Sequence, residues 1–203
     1  MSDGILTQGK LFPLRDISQH EVTNRFALDG TGLNGLFVSY VTGNQNPDTA
    51  DGYSNQSVAA NFTNTFSTIY LNNRRVKASS VGASKWEVAG VTLNTVAVYD
   101  ENGNVLRNEP HYVREERMFV LSGQTVPIVK RGFITINNSQ VLGATAPLPG
   151  YPFIATGVGQ ITAITPAQAT GSLGGYGNFV LGHFSSATGV NNGGYIELEL
   201  AGA

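Results

Sequence analysis

The last strand-like run of the chain alternates without a fault. Ile196, Leu198 and Leu200 fall on one face, and Glu197 and Glu199 on the other. Successive side chains of an extended strand point to opposite faces, so this run reads as a half-buried strand with its two carboxylates on the wet side. No stretch longer than about ten residues shows an apolar period near 3.6, the spacing an amphipathic helix needs, whereas period-2 runs recur. The segment from Val126 to Ile136 reads as two strand pieces broken at Lys130, Arg131 and Gly132, with Gly132 suited to a bulge or sharp bend. Residues 36–41 and 91–99 are further runs of β-branched and aromatic residues. The fold class that follows is all-β, an antiparallel sandwich or barrel module with little or no helix.

Turn chemistry punctuates these runs. Asn102-Gly103 separates Val96–Tyr99 from Val105 and Leu106 and is a strong hairpin signal. Residues 191–194, Asn-Asn-Gly-Gly, divide residues 177–184 from the terminal strand in the same way. The one stretch that tolerates a helix is Asn108 to Met118, which holds Pro110. Residues 1–24 mix isolated apolar residues with Pro13 and polar groups, as an extended arm laid on another surface would. Residues 42–66 form a long Asn/Thr/Ser loop, and loops beyond about 15 residues are usually functional or disordered. Three parts are therefore expected: the arm 1–24, a β region 25–110 carrying the loop 42–66, and a neutral β module 111–203. The soft boundary falls near Glu109–Glu116.

Charge is the second constraint. Charged residues make up 13% of the chain, half the ~25% of an ordinary domain. From Gly132 to Ala203 there is no lysine, arginine or aspartate, and Glu197 and Glu199 are the only charges. That same stretch holds 14 of the 25 glycines and 4 of the 8 prolines. A soluble surface normally carries mixed charge that keeps molecules apart, so a surface without it is expected to be covered by protein in its working state. Net charge is −2 and the pI about 5.9, which point to neither nucleic acid nor an anionic membrane as partner. The basic knot Arg74, Arg75 and Lys77 reads as a solvated strand end. There is no cysteine, hence no disulfide or thiolate chemistry. Residues 1–10 lack the apolar run of a signal peptide, and no window of 18 apolar residues occurs. Asn55, Asn61 and Asn137 begin Asn-x-Ser/Thr triplets, which without a secretion signal read as accidents of composition.

The motifs that could carry chemistry read better as structure. Gly30, Gly32 and Gly35 spell G-x-G-x-x-G, yet the strand-forming residues 36–41 follow where a dinucleotide site needs a helix. Residues 171–177 lack the Gly-Lys-Ser/Thr ending of a P-loop. His20, His111 and His183 lack the spacing of a metal site. No Gly-x-Ser-x-Gly elbow supports a serine nucleophile. Glu115 and Glu116, set between Arg114 and Arg117, read as an ion-paired surface, since neighbours on an extended chain point apart. A glycosidase pair can draw on distant carboxylates, so one sequence leaves that class open. Tyr151, Phe153, Tyr176, Phe179, Phe184 and Tyr195 read first as core or its cap, and otherwise as a sugar-stacking platform or interface anchors. Tyr151, with Pro149 and Pro152 close by, is the candidate for exposure.

The strand at 127–136 with its internal Arg131-Gly132, the run Gly157-Val-Gly-Gln-Ile161 and the alternating strand at 194–200 together resemble the head decoration, or capsid cement, proteins of tailed bacteriophages. The likeness covers about the last 80 residues as a pattern, and the remainder, including the polar N-terminal arm, only in style. The resemblance implies a non-enzymatic virion protein without a cofactor. It would sit on the outer capsid face, commonly as a homotrimer, where major capsid protein subunits meet, after synthesis in the host cytoplasm. Leu11, Phe12 and Leu14 are the expected capsid contacts of the arm, and the loop with Tyr53, Phe62 and Phe66 is expected to touch neighbours. The alternatives are another virion part, such as a tail or baseplate component, and a carbohydrate-binding β-sandwich using Tyr151, Tyr176 or Tyr195.

Overall fold

The computed structural model describes residues 17–41, 74–99, 105, 111–116, 118–121, 124–143, 145–170, 176–186 and 194–201. Among these the fold is all-β, as the alternation predicts. Five strands close a barrel: β1 (Val22–Leu28), β2 (Phe37–Tyr40), β3 (Arg74–Ala78), β4 (Val88–Thr92) and β7 (Thr125–Val129), in the order β1-β3-β2-β4-β7. Pairing of β7 with β1, Val22 opposite Val129, shuts the ring. The strands β5 (Thr95–Ala97) and β6 (Phe119–Leu121) form a small parallel pair beside it.

The rest of the chain builds a six-stranded sheet. Its strands are β8 (Arg131–Asn137), β9 (Val141–Leu142), β10 (Pro152–Gly157), β11 (Gln160–Ala163), β12 (Gly182–Phe184) and β13 (Tyr195–Ala201), ordered β8-β13-β12-β10-β11-β9. Pairing is antiparallel except where β9 lies beside β11, and in the barrel where β1 lies beside β3. The sandwich-or-barrel expectation thus resolves into a barrel with a sheet packed on it, with parallel pairs that the period-2 pattern does not distinguish.

Two clusters of buried side chains explain this arrangement. Phe26, Leu28, Val38, Val76, Ala89, Val126 and Ile128 come from all five barrel strands and fill its interior. Phe37, Val88, Val91 and Val129 point out of three of these strands, β2, β4 and β7, and meet Ile134, Ile136, Phe153, Phe184, Ile196, Leu198 and Leu200 of the sheet. Barrel strands that bury both faces lose the polar alternation, which is why Val88–Thr92 is buried at every position. Phe153, with no exposed surface, sits at the seam, 5.8 Å from the ring of Phe37 and 5.4 Å from that of Phe184.

The break expected at Lys130–Gly132 is present, and it is where the chain changes sheets. Gly132 has φ +106, a conformation that favours glycine, and a Cβ there would stand 2.6 Å from the Glu21 carboxylate. Because β7 completes the barrel, the division between the two sheets falls at Lys130 and not near Glu109–Glu116. Residues 17–24 belong to the body, not to an arm: Ile17 packs on the shared core and β1 begins at Val22.

Local differences have local causes. The run 91–99 is two strands, parted at Leu93, whose amide donates to the carbonyl of Pro127. Helix α1 (His111–Glu116) follows Pro110, so the Glu115–Glu116 segment is helical rather than extended. Helix α2 (Pro166–Thr170) was not anticipated, although its start is written in the sequence. The Thr165 hydroxyl accepts from the Gln168 amide while the Gln168 side chain accepts from the Thr165 amide, and Pro166 takes the first helical position. Of the basic knot, Lys77 is exposed as expected, but Arg75 is buried and meets Asp29 at 3.4 Å. Asn137 caps a short 3-10 turn, accepting from the Ser139 amide.

Candidate functional site

The hairpin joining β10 to β11 turns through Val158 and Gly159, with Gly157 opposite Gln160. Both central residues have positive φ, +50 at Val158 and +72 at Gly159, the pattern of a type I′ turn. Such turns call for Asn or Gly at the first central position. A β-branched valine there is a backbone outlier, and a residue held so costs about 1–3 kcal/mol.

The barrel imposes this conformation. The Gly159 amide donates to the Ser79 carbonyl at 3.2 Å, and its own carbonyl accepts from the Phe37 amide at 3.0 Å. A Cβ on Gly159 would overlap the Leu36 side chain, so the turn approaches the barrel as closely as only glycine allows. The loop after β3 meets the same hairpin. Val81 forms a bridge with Thr156, and the Gly82 amide donates to the Ala155 carbonyl at 3.3 Å. The Val81 methyl group lies 3.0 Å from where a Cβ on Gly157 would stand.

The outcome is a tip hydrogen-bonded to barrel and loop where the sheets meet, on which two valines face water. Val81 is 79% exposed and Val158 is 80% exposed. Residues 78–84 and 154–164, which build the tip, include no charged residue. Further along the same loop, Trp86 is also exposed, with the Lys85 ammonium 4.8 Å from its ring centroid.

The second feature is the outer face of the six-stranded sheet. Register places Phe133, Glu199, His183 and Pro152 in one row across β8, β13, β12 and β10. Glu197 shares this face, so the only charges of residues 132–203 are gathered on one strand, and the tip, α2 and β9 carry none. An open groove of about 690 Å³ at the end of the face is lined by Ile17, Glu21, Arg131, Phe133 and Glu199 among others. Among the described residues no three His, Asp or Glu side chains gather as a metal site requires.

The expected contact residues Leu11, Phe12, Leu14, Tyr53, Phe62 and Phe66 lie outside the described residues, as do the Asn102-Gly103 turn and residues 191–193. The flanks of both turns are paired nonetheless, Tyr99 with Val105 and β12 with β13. Residues 29–36 form a turn before β2, with Gly30 and Gly35 at positive φ, where a dinucleotide site would need a helix. Phe153 and Phe184 are core. Tyr151, the candidate for exposure, is instead half-buried against that core. Val81, Trp86 and Val158 were missed by sequence reasoning. The available signal was Gly157-Val-Gly159, a valine at a turn position that prefers asparagine. Compared with models of known protein families the chain finds no match, and compared with curated proteins it finds none.

Proposed function

We propose that this chain is a structural virion protein that binds the outer surface of a tailed-phage capsid and stabilises contacts between major capsid protein subunits. One observation carries the reading. Residues 132–203 carry no charged side chain but Glu197 and Glu199, and their described part exposes Phe133, Leu142, Leu148 and Val158. A surface of this kind has no ionic groups to desolvate when a neighbour covers it, and little like-charge repulsion to hold neighbours away. Phe133 and Leu142 stand on strands and Val158 on a hydrogen-bonded turn, so little conformational freedom is lost when they dock.

A cement protein works by adding interface. Contacts of ~800 Å² per partner are ordinary for specific association. Repeated around a shell and shared within a homotrimer, modest contacts add up to a strong clamp. The carbohydrate-binding alternative is weakened by Tyr151, whose packing on the core leaves less of its ring for stacking.

The test is light scattering of the purified protein, followed by co-sedimentation with empty expanded heads of the phage that encodes it. A trimer that pellets with expanded heads supports the reading, and a monomer that stays in the supernatant overturns it. A chain lacking residues 1–15 keeps Ile17 and its packing, so it is expected to remain a folded oligomer. If the arm makes the capsid contact, that shortened chain loses binding.

A further inference from the structure

We propose that the Val81–Val158 tip is the anchor by which the chain docks into an uncharged apolar pocket on the shell subunit, an inference that rests on the capsid reading above. Three observations converge on it. The first is strain: Val158 holds a positive φ of +50 in a turn that asparagine or glycine would occupy at lower cost. Strained backbone persists where surrounding structure over-determines it, and it gathers at functional positions. Burial of the valine does not explain it, since the side chain is 80% exposed and contributes almost nothing to the core.

The second observation is preorganisation. Hydrogen bonds from Phe37 and Gly159, and the Val81–Thr156 bridge, hold the tip from both sheets. An apolar anchor presented this way loses little freedom when it enters a pocket.

The third is the tip's size and charge, which together select the occupant. Two valines expose far less than the ~800 Å² per partner of a specific two-body interface. The tip therefore suits one anchor within a contact repeated around a shell better than a dimer interface by itself. A bilayer with anionic lipids is recognised by clustered Lys and Arg, whereas the loop has single lysines at its two ends, Lys77 and Lys85, and residues 78–84 and 154–164 contain none. An uncharged protein pocket matches the tip in both respects.

The experiment compares wild type, Val158→Asn, Val81→Ser and a control outside the tip, Val98→Thr, in co-sedimentation with expanded heads. Thermal unfolding of each protein runs alongside. The expected result is a loss of apparent affinity of at least tenfold for both tip variants, with Val98→Thr binding as wild type. Val158→Asn should melt no lower than wild type, so its loss of binding cannot be a loss of folding. If wild type binds and both tip variants bind equally well, the tip is not the anchor and the capsid reading still stands. If wild type does not bind, the capsid reading falls and this inference falls with it. A wild-type dimer that Val81→Ser abolishes, or flotation with anionic vesicles that it abolishes, would assign the tip to a second copy or to lipid and overturn the proposal.

Discussion

The amide of Phe37 donates to the carbonyl of Gly159 at 3.0 Å, while the Phe37 ring meets Phe153 edge-on at 5.8 Å. One barrel residue thus reaches the six-stranded sheet twice, through its backbone at the turn and through its side chain in the core. The neighbouring Val38 points the other way, into the barrel interior. Barrel and sheet therefore meet through backbone as well as side chains, and they should unfold as one unit.

Phe153→Ala tests that unity. The side chain is fully buried between Phe37 and Phe184, and removing a buried phenylalanine costs about 3–5 kcal/mol. For a chain of this length the expected drop in Tm is roughly 6–20 °C. Calorimetry should still show one transition. Two separate transitions in the wild type would mean that the seam does not couple the sheets.

Two glycines with similar φ should respond differently to alanine. Gly159 has φ +72 and its new Cβ would overlap Leu36, whereas Gly150 has φ +82 and open space around the same position. Gly150→Ala should cost only the backbone term, about 1 kcal/mol. Gly159→Ala should cost that plus overpacking, about 2–4 kcal/mol together. Urea denaturation with unchanged m-values measures both, and equal losses would show that the turn does not press on the barrel.

These contrasts mark what a sequence of this kind discloses. Strand β13 and the break at Lys130–Gly132 were legible because alternation and a glycine kink are local facts. The partner of each strand was not. That β7 closes the barrel while β8, one residue later, opens another sheet depends on pairings such as Val22 with Val129 and Leu198 with Ile134, which no local pattern encodes. Arg75 looked like a wet strand end because its partner Asp29 is 46 residues away. Val158 was hidden for a related reason. Its exposure follows from where Ser79 and Phe37 hold the turn, and those contacts are long-range. Helix α2 differs, since its Thr165-Pro166-Ala167-Gln168 start is a local capping box that could have been read.

That box gives a prediction confined to one element. Thr165→Ala removes the hydroxyl that accepts from the Gln168 amide at 3.3 Å. Loss of a cap costs about 1 kcal/mol, a factor of about five in local opening. Amide exchange at Gln168 and Ala169 should therefore quicken by about fivefold, while amides of β13 keep wild-type protection. An equal rise in β13 would mean that α2 opens only with the whole fold.

The turn at Val158 predicts a stabilising change, which is uncommon among single substitutions. Asparagine tolerates positive φ far better than valine, and the lost side chain is almost wholly in solvent, so little packing is forfeited. Val158→Asn should raise the stability of the isolated protein by about 1 kcal/mol, or about 2–4 °C in Tm. Val158→Gly should gain less, because glycine adds backbone freedom to the unfolded chain. A lower Tm for the asparagine variant would show that the valine makes contacts that outweigh its backbone cost. A higher one would leave the valine without a role in folding, and its presence would then need an explanation outside the isolated molecule.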